Sequence, residues 1–273
     1  MTRKILFTDL DGTLLNDQKQ ISGENRRAIE RAVAMGHRVV LSSGRATKSV
    51  YMQVRKLGLD RPGCYAIAFN GAVVIRCDTG EALYERGLEP ELVRYLFREA
   101  RQAGIHCQTY QGGYTLAERQ SEVLDYYDRS TQGVSRVVPD VCEILTVHPP
   151  KVLLADLTHS GRLEAFRRAH EEKLAGKAEA TFSCPEYLEY LPLGVSKGYA
   201  VKWLCDYLGI PLAASVAAGD EANDLSMIRV AGVGAAMING VVELKAEADY
   251  ITRADNNHDG LAEIVRRFIL EEI

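Results

Sequence analysis

A chain of 273 residues, 47% hydrophobic and 26% charged, has the composition of an ordinary globular protein, long enough for one large domain or for two that share a crevice. Its net charge of −4 gives no support for a nucleic-acid or anionic-membrane partner, and its longest uncharged stretch, 230–242, is too short to cross a bilayer. No export signal is legible at the start and the six cysteines form no C-x-x-C pair, so the expectation is a cytoplasmic protein with reduced thiols and neither a zinc nor a redox motif.

Residues 4–8 (Lys-Ile-Leu-Phe-Thr) read as a short buried strand. It runs into Asp9-Leu10-Asp11-Gly12-Thr13, two carboxylates two residues apart and a glycine that lets the chain turn. On a regular strand the two would share a face, although the turn need not keep them parallel. The C-terminal end of a buried strand is where open α/β sheets place their ligands. Ser22 then caps a helix whose apolar stripe, Ala28, Ile29, Ala32 and Val33, stops at Gly36. A second buried strand over 38–41 ends at Ser42-Ser43-Gly44-Arg45; a helix over 46–58 and a third strand over 64–69 follow. The β-α-β-α-β order predicts a parallel sheet with right-handed crossovers. Asn70-Gly71, set between two apolar runs, signals a hairpin, and the parallel pattern stops there.

From Tyr84 to Leu191 the character changes. An amphipathic helix spans 90–103, a hairpin turns at Gly112-Gly113, and helices are expected over 120–130 and 161–174. A strand runs over 151–156 and a last strand pair turns at Pro185. This is a helix-and-hairpin α+β module. The α/β pattern then returns with a helix at 197–208, a strand at 215–218, a helix at 224–231, strands near 234–238 and 250–251, and a final helix near 260–270. The expected organisation is therefore a Rossmann-like α/β core, residues 1–83 and 192–273, split by an inserted second domain at 84–191, with a substrate crevice between the two.

Four strand ends carry polar groups. Asp9 and Asp11 follow directly on the strand residues Ile5, Leu6, Phe7 and Thr8, which a simple turn does not require. Ser43-Gly44-Arg45 opens a helix, where a hydroxyl and free amides either cap the helix or hold an anion. Lys197 follows the serine cap Ser196, a cation where the helix dipole disfavours one, and such local violations tend to mark function. Asp220, Glu221, Asn223 and Asp224 suit the dipole of the helix they open, and also look like hard-cation ligands of the kind that suit magnesium better than calcium. The loop 255–260 matches the first half of a calcium loop, but Arg266 stands where the bidentate glutamate belongs; Asn256 is left as a candidate for the crevice. A phosphate-binding G-x-x-x-x-G-K-[ST] is absent, Gly232-x-Gly234 lacks the third glycine of a dinucleotide site, and the histidines at 37, 106, 148, 159, 170 and 258 have no ligand spacing.

A carboxylate pair, a hydroxyl, a lysine and a second carboxylate cluster suit phosphoryl transfer. In this order the residues resemble the four motifs of the haloacid dehalogenase superfamily: Asp9-Leu10-Asp11-Gly12-Thr13-Leu14, then Ser43-Gly44-Arg45, Lys197, and Gly219-Asp220-x-x-Asn223-Asp224. Asn70-Gly71-Ala72, Asp259-Gly260 and the size of the insert resemble the Cof-type branch, with its large α/β (type IIB) cap. The resemblance implies a Mg²⁺-dependent phosphatase. In it Asp9 is the nucleophile and a metal ligand, and Asp11 the acid and base with its backbone on the metal. Asp220 ligates the metal and Asp224 supports it. Ser43, Gly44 and Lys197 bind the phosphoryl group, and Asn223 orients Lys197 or the phosphate.

A small phosphorylated metabolite is the expected partner, sugar phosphates foremost, for a monomer or small homo-oligomer. A sugar-phosphate phosphomutase uses the same motifs, and a phospho-accepting signalling receiver uses related ones. Eight of the thirteen tyrosines lie between Tyr84 and Tyr190; of these Tyr110, Tyr114, Tyr187 and Tyr190 are candidates for the crevice wall, as is Glu189.

Overall fold

The computed structural model describes residues 3–131, 133–158 and 161–272; His159 lies outside the described residues. The first part of the chain gives β1 (Ile5–Thr8), α1 (Gly23–Ala34), β2 (Arg38–Ser42), α2 (Thr47–Lys56), β3 (Tyr65–Ala68), β4 (Val73–Arg76) and β5 (Ala82–Glu85). The insert gives α3 (Pro90–Ala103), β6 (His106–Gln111), β7 (Tyr114–Ala117), α4 (Glu122–Thr131), β8 (Ser135–Val137), α5 (Val141–Ile144), β9 (Val152–Ala155), α6 (Arg162–Leu174), β10 (Ala178–Cys184) and β11 (Tyr187–Pro192). The last part gives α7 (Lys197–Leu208), β12 (Ser215–Gly219), α8 (Leu225–Val230), β13 (Val233–Ala236), α9 (Val242–Glu247), β14 (Tyr250–Ile251) and α10 (Gly260–Ile264), which runs into a wide π turn over Val265–Ile269.

Both halves of the core meet in one eight-stranded sheet, ordered β14-β13-β12-β1-β2-β3-β4-β5. From β14 to β3 every pairing is parallel; β4 and β5 are antiparallel additions at one edge. Strand alternation sends the side chains of β1 to opposite faces. Ile5 and Phe7 pack with Val201, Leu204 and Met227 under α7 and α8, while Leu6 packs with Ile29, Val50 and Ile264 under α1, α2 and α10. A strand covered on both faces has no polar side, which is why 5–7 is an unbroken apolar run.

The cap holds its own six-stranded sheet, β10-β11-β9-β6-β7-β8, antiparallel except between β7 and β8. Val93, Leu96 and Phe97 of α3 and Leu163 and Phe166 of α6 cover one face, and each such side chain contributes roughly 1.5–3 kcal/mol by leaving water. On β11, Leu188 and Tyr190 point to those helices, while Leu191 and Tyr187 pack toward the core domain.

Three features differ from the sequence expectation. Because β5 pairs with β4, Tyr84 and Glu85 belong to the core sheet, two residues beyond the expected boundary at 83, and β11 ends at Pro192. The Asn70-Gly71 reversal is a 3-10 turn over Phe69–Gly71 in which Phe69 and Asn70 take left-handed φ of 50° and 55°. Its form follows from its ties to the β2 loop: the Phe69 and Asn70 N–H groups donate to the carbonyls of Arg45 and Ser43, both at 3.0 Å. β8 and α5 are too short to leave a periodic signal. Among the described residues no helix is long and apolar enough to cross a membrane.

Candidate active site

The ends of β1, β2 and β12 open on one rim of the sheet. β1 stops at Thr8, but the Asp9 N–H still donates to the Ala218 carbonyl at 2.9 Å, which fixes Asp9 against β12. Ser196 caps α7 by accepting the Tyr199 N–H at 3.1 Å, and the next side chain, Lys197, is fully buried. Its Nζ donates to Asp9 Oδ1 and Asp224 Oδ1, each at 2.5 Å. Two carboxylates thus offset a cation at the positive end of a helix. The other Asp224 oxygen accepts the backbone N–H groups of Asp220 at 3.0 Å and Glu221 at 3.1 Å, locking the loop after β12. Thr13 Oγ1 donates to Asp220 Oδ1 at 2.7 Å. Gly12, at φ +78°, makes room for the same carboxylate: a Cβ there would lie 2.2 Å from Asp220 Oδ2.

Asp9, Asp220 and Asp224 each offer an oxygen within 4.8 Å of the others, and all three are buried. Burial, then the Asp9 and Asp224 charges, pushes the Asp220 carboxyl well above the usual range. Burial also raises Asp9; the Lys197 ammonium opposes it, the Asp224 and Asp11 charges add to it, and the result is about 7. Burial works to lower Lys197, but Asp224 and Asp9 hold it above its ordinary value. One ammonium facing three buried carboxylates leaves negative charge uncompensated, and a hard divalent cation with oxygen ligands fits that donor set.

Asp11 turns away from this cluster. Its two oxygens accept Arg45 Nε and Nη2, both at 2.6 Å, and Lys19 Nζ at 2.7 Å. Burial at the cleft floor works to raise the Asp11 carboxyl, yet the Arg45 fork and Lys19 outweigh it and hold it at about 2. The two motif-one carboxylates therefore do not share a face: the strand ends before them, and each follows its own cation.

Ser43 and Gly44 line the same cleft, with the Ser43 hydroxyl accepting the Arg45 N–H at 3.2 Å. Asn223 also lines it, but its Nδ2 donates to Asn70 Oδ1 at 2.9 Å and not toward Lys197; its own buried Oδ1 finds no partner among the described residues. The expected Asn223–Lys197 contact is replaced because the 69–71 turn stands beside Asn223, and Asp224 occupies the lysine. Asn256 does not reach the cleft either: it donates to the Leu15 carbonyl and Asp17, both at 3.1 Å, and fastens the loop behind the site.

The cleft encloses about 230 Å³ between core and cap. Of the expected tyrosines only Tyr187 lines it. Tyr110 stands one layer back, donating its hydroxyl to Tyr127 at 2.7 Å, while Tyr190 packs on Phe166 and Tyr114 lies under Arg136. Tyr126, Tyr127, Ser130, Thr131 and Ser183 bring further hydroxyl-bearing side chains to the wall. Sequence reasoning missed Tyr126 and Tyr127 because on α4 they read as an amphipathic surface. It also missed Lys19, Lys151 and the partner of Arg45, none of which carries a local signal. Glu189 faces the core as expected, where it is buried.

The family described as haloacid dehalogenase-like hydrolase matches residues 6–265. The chain is 32% identical to YxeH of Bacillus subtilis over 98% of each chain. It is 31% identical to that organism's YwtE, named 5-amino-6-(5-phospho-D-ribitylamino)uracil phosphatase, over 97% of this chain and 98% of that one. The crystal structure of a haloacid dehalogenase-like hydrolase from Bacteroides thetaiotaomicron superposes with a TM-score of 0.88 at 32% identity, covering 97% of this chain and 99% of the other.

Proposed function

The chain belongs to the haloacid dehalogenase-like hydrolases, and on that premise we propose that it is a Mg²⁺-dependent phosphatase of small phosphomonoesters, sugar phosphates or similar metabolites, working through a phosphorylated Asp9. The observation that carries this reading is the buried Asp9–Lys197–Asp224 arrangement, with both lysine contacts at 2.5 Å. It gives a nucleophile pinned by one oxygen beside a cation that can donate to phosphoryl oxygens.

In this reading an Asp9 oxygen attacks phosphorus as the bond to the leaving oxygen breaks. Asp11, in its protonated form, hands its proton to that oxygen, and the resulting carboxylate then takes a proton from the water that attacks the aspartyl-phosphate. Inorganic phosphate leaves and Asp9 is restored. Ser43, Lys197 and the amides around Gly44 hold the phosphoryl oxygens. Asp9 and Asp220 would hold Mg²⁺, with Asp224 fixing the loop that carries Asp220; the ion would neutralise charge on the phosphoryl group.

A cleft of about 230 Å³ suits a small leaving group, and its hydroxyl-rich wall suits a polyol. YwtE's name specifies a phosphoribityl substrate, which is chemistry of that kind. Phosphate release from a panel of phosphomonoesters, with Mg²⁺ and with a chelator, tests the proposal. Wild type should turn over and Asp9→Asn should lose at least about 10³-fold. Full turnover by Asp9→Asn, or indifference to chelation, would overturn it. Conversion of one sugar phosphate into its isomer, without phosphate release, would instead identify a phosphomutase.

A further inference from the structure

The cap reaches into the core through two buried, oppositely charged side chains. Lys151, just before β9, and Glu189, on β11, lie on the core-facing side of the cap sheet and pair at 2.7 Å. Lys151 Nζ also donates to the Gly44 carbonyl at 2.6 Å. The rings of Tyr110 and Phe69 enclose the ammonium further, with centroids 5.4 and 5.9 Å away. Glu189 Oε1 accepts the Ser183 hydroxyl at 2.8 Å, and Oε2 accepts the Asn70 side-chain N–H at 2.6 Å. Asn70 in turn accepts the Asn223 amide at 2.9 Å, and its backbone N–H donates to the Ser43 carbonyl at 3.0 Å.

A buried ion pair is a poor way to glue two domains. An apolar contact of the same volume stabilises as well or better, because two charges need not be desolvated. What charges supply is direction, and here the direction is specific. One partner ends on the carbonyl of Gly44, beside Ser43; the other ends, through Asn70, on Asn223. The first terminus belongs to the loop whose amides are assigned above to the phosphate; the second, Asn223, lines the same cleft and is the side chain expected to orient the phosphate there.

We propose that Lys151 and Glu189 are positioning residues of the phosphoryl site, the cap fixing the Gly44 loop directly and the Asn223 amide through Asn70. This rests on the phosphatase reading, and it makes the phosphate-binding half of the core complete only while the pair is seated.

The test compares wild type with Lys151→Met, Glu189→Gln and Asn70→Gly. The last keeps the Lys151–Glu189 pair and the left-handed backbone and removes the Asn70 side-chain bridge, its bonds to Glu189 and to Asn223 together, so it carries the test if Lys151→Met does not fold. In the presence of Mg²⁺, kcat/KM is measured for p-nitrophenyl phosphate and for a hexose phosphate, and inorganic phosphate binding by calorimetry.

Each variant should lose about 10–100-fold in kcat/KM by the same factor for both esters, and phosphate affinity should fall with it. Amide hydrogen exchange should quicken at 43–45 and 69–71. A loss confined to the hexose phosphate would assign the pair to the leaving group and overturn the proposal. Phosphate affinity and exchange equal to wild type would also overturn it. If wild type binds phosphate but hydrolyses no ester, and the variants still lose phosphate affinity, the phosphatase reading falls and the positioning role stands. Failure of wild type to bind phosphate would overturn both.

Discussion

Arg45 grips Asp11 by both carboxylate oxygens, through two N–H donors each 2.6 Å away, and so holds the expected proton carrier in its ionised form. A carboxylate in that grip cannot protonate a leaving oxygen until a substrate loosens it. Asp11→Asn removes both proton transfers and leaves Asp9 free to attack. An aryl phosphate, whose phenolate departs without a proton, should then give a burst of about one product per site followed by a stall, because the aspartyl-phosphate is no longer hydrolysed. An alkyl phosphate should give no burst and a loss on the order of 10²–10⁴-fold. Rapid-quench kinetics separate the cases, and an equal steady loss on both esters would contradict the assignment.

Stability should respond to pH and metal together. Burial, opposed by Lys197, leaves Asp9 at about 7 against an ordinary 3.8. An acid held that high binds its proton more tightly folded than unfolded. Its contribution is complete below the unfolded value and is lost as pH rises toward about 7. With a chelator, Tm should fall across that window, and Mg²⁺ should restore it most at the upper end. Asp11, held at about 2, acts in the opposite sense and only below the ordinary carboxylate value, as pH falls toward its folded one. Melting curves at two pH values, with and without Mg²⁺, check this; the same Mg²⁺ shift at both would refute it.

Gly12→Ala should cost metal affinity more than fold stability. The new Cβ would lie 2.2 Å from Asp220 Oδ2, so the carboxylate must leave its present position. The left-handed backbone adds roughly 1 kcal/mol of strain. Mg²⁺ affinity should drop about 10–100-fold by calorimetry, in the range that shifting a ligand's support produces elsewhere. Unchanged affinity would mean that Asp220 is not a ligand.

Asp224→Asn should be among the costliest single changes. Asp224 is buried and holds Lys197 with one oxygen and two backbone N–H groups with the other. An amide that still accepts from the backbone turns its NH₂ toward the ammonium. Breaking such a buried pair costs about 3–5 kcal/mol, which urea unfolding can measure. A change under about 1 kcal/mol would show that the lysine finds another partner.

How much of this was legible in the sequence depends on range. Asp9, Asp11, Lys197 and Asp220 stand at strand or helix ends that periodicity locates, so their place on one rim follows from local pattern and parallel topology. The Ser22 and Ser196 caps were equally readable, because a cap acts within three residues. The divergence of Asp9 from Asp11 was not, since it depends on Arg45 and Lys19 arriving from other elements. Asn70 was visible only as half of a turn signal. Its work as a bridge needs Glu189, 119 residues away, and a tertiary hydrogen bond of that span leaves no trace in spacing.

The sheet order also dictates when this site can exist. Lys197 meets Asp9 across 188 residues, and β12 takes the edge of β1 that β2 leaves open. At about 5–20 residues per second, a ribosome needs on the order of 10–40 s to deliver that second half. Throughout that interval β1 has an unpaired edge that could recruit another nascent chain. The cap, with its own sheet and its own apolar core, has no such wait. Chains halted before residue 215 should therefore resist protease in the cap while the first core segment remains cleavable, and the enzyme becomes active only as its last third emerges.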